Sequence, residues 1–433
     1  MFRLRHFGLF LLATCGLLSG CAQRELQPRV LSLLPAGTMV SPVVIEGNEK
    51  KPVHKVDAST LGSFKDLTLQ LPKHPLESST RALLPEETQS LAAANSQLAN
   101  LTELERQAVA QGAGSYKKAA RLASLQQQLL CLRAIHERNQ SAAQALQAFY
   151  KLAEVRENGL DVESSLAQLG RMQDDLRQAQ VQGVKVAADR TALDRKQMEL
   201  QDQQQQLELG DAQLSEQLRG LIGLSPNEPT RLEPQPNLTL TAVSIDTDAA
   251  ISIGLQIRAD LAALRVLLSE LDVQTLPAAR SSLSQADPGL GVPAPSLGML
   301  HKFFQVNTAS CDLEIRRAQL SQLLETREHQ VASEIRLAVR EIETRLKQSA
   351  LAAEILASWQ QRLEDLKALR DVGSATPLEI QQAQFEIAAA HSALLKQAIA
   401  VRVAEVKLKE AQGLLAAECG YDVAACLAEF CCP

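Results

Sequence analysis

The sequence predicts a mainly α protein built from long antiparallel helical hairpins, and three observations predict it. Composition is the first: of 433 residues only 13 are aromatic (9 Phe, 3 Tyr, 1 Trp), whereas Gln alone accounts for 42 and Leu and Ala fill most of the apolar share. Aromatic rings bury more area than aliphatic side chains, so their scarcity argues against a large sheet-rich core. Leu, Ala, Gln, Glu, Arg and Lys lose little on entering a helix. Proline placement is the second: there is none between 86 and 225, 296 and 376, or 378 and 432. Residues 115–158 and 299–372 lack Gly as well, which allows helices of roughly 40 to 60 residues, about 60 to 90 Å long. The third is an internal repeat. A shift of 190 residues places LRQAQVQG, ending at Gly183, on LKALRDVG, ending at Gly373, and Gly223 on Gly413. Ala148 then meets Ala338, Leu152 meets Ile342, Leu166 meets Leu356 and Leu176 meets Leu366.

The elements follow in chain order. Residues 1–20 have the layout of a secretory signal peptide: Arg3 and Arg5, an apolar run from Phe7 to Leu18, then small residues. Leu18-Ser19-Gly20-Cys21 resembles a bacterial lipobox, in which Cys21 is acylated and becomes the first mature residue. Ala22 follows, and the resemblance then implies the outer membrane. Removal of the peptide moves the formal charge from −6 to −8. No later stretch approaches the 18 or so apolar residues a spanning helix needs. The remaining charges are dispersed and form no basic block, so nucleic acid is not an expected partner.

Residues 21–84 read as an extended, Pro-containing linker, and 85–225 as the first helical repeat. In the latter, Leu122, Leu125, Leu129 and Leu132 set a 3-4-3 rhythm. His136 and Asn139 then occupy the seam, and Ala143, Leu146, Tyr150 and Ala153 resume it. A lone His there is expected to be hydrogen-bonded packing. Leu193, Leu200, Leu207, Leu214 and Leu221 recur every seven residues on the returning helix. A second linker spans 226–248, a helix opening the second repeat spans 249–276, and 277–308 reads as a loop with four prolines. The second helical repeat covers 309–417, with Ala383, Ala390, Ala404 and Ala411 in a matching ladder and Gln397 in its gap. Between its helices, Thr376 stands as N-cap with Pro377 at the first helical position and Glu379 in the first turn. Residues 418–433 form a Cys-containing tail. Cys419, Cys426, Cys431 and Cys432 match no zinc spacing, and they read as disulfides or free thiols in a terminal cap. No metal site or cofactor is expected.

The order of motifs is similar to that of TolC-like outer-membrane efflux proteins, lipoprotein branch. The residues carrying the resemblance are Leu221-Ile222-Gly223-Leu224-Ser225-Pro226, Arg258-Ala259-Asp260-Leu261 where the family often shows Arg-Pro-Asp-Leu, and Gly373-Ser374 with Leu378-Glu379-Ile380. The resemblance covers about Pro85 to Gly413. It implies a duplicated α-barrel scaffold, a homotrimer whose helices form a periplasmic tunnel, a periplasmic adaptor and an inner-membrane pump as partners, and passive transport. Family members also cross the outer membrane through two strand hairpins per protomer. Here Gly112-Ala113-Gly114-Ser115 stands at the first position, and 277–308 lacks sustained alternation at the second, so little or no β-barrel is expected. Outside the signal peptide only 10 aromatic residues remain, with Phe303-Phe304 the one pair near an expected membrane end. Two functions stay open: a tunnel component of an export system, and a structural or accessory periplasmic lipoprotein that kept the scaffold without a channel. An enzyme is not expected. No nucleophile with a base and no phosphate loop is present, and the acidic pairs Asp174-Asp175 and Glu341 with Glu343 read as solvated helix faces.

Overall fold

The computed structural model describes residues 67–69, 80–112, 117–181, 190–225, 230–240, 244–292 and 305–430. Cys21, Gly183, Phe303-Phe304, Cys431 and Cys432 lie outside the described residues. Two short strands come first, β1 (Leu67–Leu69) and β2 (Thr80–Leu83), within what the sequence reads as linker. The first repeat is α1 (Pro85–Ala94), α2 (Gln97–Gly112), α3 (Lys117–Val181) and α4 (Arg190–Ile222). Strands β3 (Arg231–Pro234) and β4 (Leu238–Leu240) correct the second linker as well. β1 pairs antiparallel with β4 and β2 parallel with β3, so the partners lie about 170 and about 150 residues apart, beyond the reach of local pattern reading.

The second half of the chain holds α5 (Thr247–Ile257), α6 (Ala259–Ser269), α7 (Leu276–Ala286), α8 (Gln305–Asp371) and α9 (Pro377–Gln412); the short α10 (Leu414–Glu418) follows at the end of the range read as the second repeat, and α11 (Val423–Ala428) lies in the tail. α3 has 65 residues and α8 has 67, so each runs about 100 Å. Their returning partners α4 and α9 have 33 and 36 residues. The expected N-cap is observed in full: the Thr376 side chain accepts from the Glu379 N–H and Glu379 reaches back to the Thr376 N–H. The ladders also face inward. Leu193, Leu200 and Leu207 pack with Val162, Leu169 and Met172, and Ala383, Ala390 and Ala404 are buried.

Three expectations need correction. The helix over 249–276 is broken at Arg258, and the first repeat has a like break at Asn95-Ser96. The loop over 277–308 is helical to Ala286, because Pro277 sits in the first turn of α7, where its missing N–H costs nothing. α9 also holds one window apolar enough by length and composition to cross a membrane. It packs against α3 and α8, as a core helix does.

Neighbouring helices pack side by side in one layer, and the order changes part-way along. On the side of the hairpin turns the packing order is α4, α3, α9, α8; on the other side it is α2, α3, α6, α8. The change falls where α4 and α9 stop at Gly223 and Gly413, and α2 and α6 begin. Among the described residues no closed barrel is present.

Candidate functional site

The most developed polar site is the joint where α9 ends and α6 begins. Both joints use the same device. At the first, Asn95 Nδ2 donates to the Ile222 carbonyl at 2.8 Å; at the second, Arg258 Nη1 donates to the Ala411 carbonyl at 2.9 Å. Each donor therefore caps carbonyls that a helix C-terminus leaves unpaired. The closing residues are Gly223 and Gly413, with φ of 76° and 79°. A Cβ on Gly223 would stand 2.6 Å from Asn95 Cβ, and one on Gly413 would stand 3.3 Å from Arg258 Cα. Both glycines thus serve a left-handed turn and a close approach together.

The second joint differs in carrying charge. Arg258 makes a two-pronged contact with Asp260, Nε to Oδ1 at 2.9 Å and Nη2 to Oδ2 at 2.8 Å, and its Nη1 also donates to Glu334 Oε2 at 2.7 Å. Arg327 on α8 donates through Nε to Asp260 Oδ2 at 3.0 Å and through Nη1 to Glu334 Oε1 at 3.1 Å. Asp260 is 2% exposed. Burial on its own would raise its carboxyl, but Arg258 and Arg327 outweigh burial and hold it well below the usual carboxylate range. Asp260 also lies in the first turn of α6, where a negative charge suits the helix dipole.

A cleft of about 430 Å³ opens beside this network, lined by His136 and Asn139 of α3, Glu334 and Glu341 of α8, and Lys407 and Glu410 of α9. Burial keeps His136 below its ordinary value, and its ring nitrogen lies 3.0 Å from Gln140 Nε2, which matches the packing role expected of it. Burial pushes the Glu410 carboxyl up to about 7, against the pull of Arg258. Asn139 bridges the Glu410 carbonyl and the Ala416 N–H. Among the described residues no cluster of three or more His, Cys, Asp or Glu could hold a metal ion.

Of the residues singled out from sequence, Arg258 and Asp260 meet in this network, and Gly223 and Gly413 close the two joints. Gly373, at φ 76°, turns the α8–α9 hairpin and has nothing within 4 Å of an added Cβ. Glu341 is held by Lys407 at 3.0 Å and Asp174 by Arg177 at 3.2 Å. Of the tail cysteines, read as disulfides or free thiols, Cys426 is bonded to Cys131 on α3, 295 residues away and outside the tail, and Cys419 is a free thiol. The fold lays α11 across α3, which brings these two together. Sequence reading missed Arg327, Glu334 and Asn95. Arg327 was detectable, because it interrupts the inward row Leu320, Leu324, Val331, Ile335 and Ala338.

No protein-family model matches the chain, and no curated protein matches it. Solved structures do. The chain is similar to the Campylobacter jejuni CmeC outer membrane channel, with TM-score 0.59, 13% identity, and coverage of 84% of this chain and 98% of that one. It is similar to CusC, a protein described as folding into a transmembrane channel, with TM-score 0.57, 14% identity and coverage of 80% and 99%. The open state of the Neisseria gonorrhoeae MtrE outer membrane channel gives TM-score 0.56, 11% identity and coverage of 81% and 98%. At these identities the likeness is one of fold, and the fold is the one the sequence motifs point to.

Proposed function

We propose that this chain, with the fold of TolC-like outer-membrane efflux channels, is an outer-membrane lipoprotein anchored at Cys21 and the tunnel-forming component of an export system. Three copies close a ring of helices in the periplasm. Transport through it is passive, and a periplasmic adaptor and an inner-membrane pump supply coupling and energy.

The observation that carries this reading is where the exposed apolar side chains lie. The layer has two open edges, α4 with α2 on one side and α8 on the other. On the first edge Leu98, Leu101 and Leu104 of α2 and Met198 and Leu209 of α4 are exposed; on the second, Leu337, Leu351, Ile355 and Leu369 of α8 are exposed. At about 100 Å, α8 is long enough to lie along α4 and α2 together. Edges of different composition that match in length suit a head-to-tail contact that closes into a ring. Light scattering on the purified, lipidated protein should give the mass of three copies. Leu101→Glu or Leu351→Glu should give single copies with unchanged helical circular dichroism. A wild-type protein that is a single copy at working concentrations overturns the reading.

A scaffold without a conducting path is the second reading, favoured by chain length at the membrane end. α7 occupies 276–286, residues 287–292 are turn, and only 293–304 remain before α8; between α2 and α3 there are four residues. A membrane strand takes about 9–11 residues, so neither stretch has room for a two-strand hairpin. Single-channel currents from the protein in planar bilayers would remove this reading. Silence there, with release from the membrane by Cys21→Ala, would establish it over the first.

A further inference from the structure

We propose that the Cys131–Cys426 disulfide is an oxidative lock, closed by a protein or small-molecule disulfide outside the reducing cytosol, that fixes the C-terminal strap and with it the α2 edge. The part concerning assembly rests on the ring reading above; the part concerning the strap does not.

The strap, residues 414–430, ends the second repeat but is attached to the first. Gln89 of α1 donates to the Leu415 carbonyl at 3.0 Å and to Glu418 at 2.9 Å. The Arg138 guanidinium of α3 stands 4.2 Å over the Tyr421 ring, and Arg106 of α2 bonds Glu429 at 2.9 Å. Val423 and Cys426 are buried in a core that also holds Leu125, Leu129 and Leu132 of α3 and Leu283 of α7. Leu415 and Ala416 at the start of the strap are buried, as is the Gln89 bond to Leu415, whereas the polar ties further on, at Glu418 and Glu429, are at part-exposed groups and each of modest worth in water. α11 itself has only six residues, too few to hold as a helix alone. Among the described residues the disulfide is the one covalent tie, and it spans 295 residues, so it removes a large share of the freedom of the open chain. Arg106 lies on the same helix as Leu98, Leu101 and Leu104, which places the strap against the element that carries one assembly edge.

Closure is ordinary thiol–disulfide exchange. The Cys131 thiolate attacks one sulfur of the oxidant, releasing the other as a thiolate and leaving a mixed disulfide. The Cys426 thiolate then displaces the second oxidant sulfur from Cys131. Two electrons pass to the oxidant, which leaves as two thiols. Cys419, half-buried and free, takes no part.

The full mature chain, isolated from membranes under alkylation, should yield a linked 131/426 peptide. Hydrogen exchange over 414–430 should become at least tenfold faster on reduction with a soluble dithiol, and the three-copy fraction should fall while helical circular dichroism stays. Cys131→Ser should behave like the reduced wild type and Cys419→Ser like the oxidised one. Because reduction acts on a chain already folded, a variant that fails to fold does not decide the matter. Exchange over 414–430 that ignores reduction, or a missing linked peptide, overturns the lock. If oxidised and reduced protein are both single copies, the ring reading fails, and the exchange rates alone still decide the lock.

Discussion

Asp260 and Arg327 join elements 67 residues apart: both Nε and Nη2 of Arg327 lie within 3.0 Å of Asp260 Oδ2, inside a protein wall and away from water. Arg258 holds the same carboxylate from the other side. The group is therefore one negative charge shared by two guanidiniums, with Glu334 bridging them at its outer rim. Such a set fixes which residue of α8 stands beside the start of α6.

Removing the shared carboxylate leaves two cations facing each other in a buried site. Asp260→Asn is expected to cost about 3 to 5 kcal/mol, read as a fall in the urea midpoint with little change in slope. Arg327→Gln alone should cost less, since Arg258 keeps its two-pronged contact. In the double variant the costs should not add. Additive costs would mean that Asp260 and Arg327 do not act as a pair.

Two of the turn glycines, Gly373 and Gly223, should separate by their surroundings. Gly373→Ala meets no neighbour and pays only for its left-handed backbone, about 1 kcal/mol. Gly223→Ala pays that and must also push Asn95 aside, which strains the bond from Asn95 to Ile222. It should cost at least twice as much. Equal midpoints for the two variants in thermal unfolding would contradict the joint geometry.

Thr376→Ala removes an N-cap side chain and half of a reciprocal pair with Glu379. About 1 kcal/mol is expected, felt at the hairpin end. Amide exchange should speed up in the first turn of α9 and stay unchanged around Arg258.

These sites differ in how far the sequence disclosed them. Hairpin turns were legible because Gly373 with Thr376 and Pro377 is a local signal, and a helix must stop where its chemistry says so. The long helices were legible because nothing in 115–158 or 299–372 could stop them. The breaks at Asn95 and Arg258 were not: Arg258 favours helix, and Asn95-Ser96, though weak helix formers, carry no Gly or Pro that would force a stop. Each break exists because another helix ends against it, through Gly223 or Gly413, which is a tertiary cause. α7 was hidden by Pro277, which reads as a loop residue unless it is recognised as a helix start. Of the charged network, the half within four residues of Arg258 was visible. Arg327 and Glu334 came from a helix whose register against α6 no local pattern fixes, and the same holds for Cys131 and Cys426.

The pH response should come mainly from the interface of α3 with α9 and from the cleft. Glu410 faces Arg258 from the α5–α6 break, Glu334 from α8 and Lys407 from its own helix, and burial lifts its carboxyl to about 7. A carboxyl raised on folding holds its proton longer in the native state, so it costs stability as pH climbs from its ordinary value of 4.5 to about 7. His391 is raised by its hydrogen bond to Asp161, at 3.4 Å. Its contribution is complete below its ordinary 6.5 and is lost as pH rises through the higher folded value. The two effects have the same sign in adjoining windows. His136 opposes them: burial lowers it, so the native state resists protonation and loses stability as pH falls below 6.5. Asp260, Asp272 and Glu379 are all lowered and act only further down, where stability falls with pH. Single variants isolate each group. Glu410→Gln should match wild type near pH 4 and exceed it by up to about 3 kcal/mol above pH 7. His391→Gln should match wild type at alkaline pH and fall below it near pH 5. Urea unfolding across this range reads both. A Glu410→Gln difference that does not grow with pH would show that the carboxyl is hydrated in the folded chain and that the cleft exerts no hold on its proton.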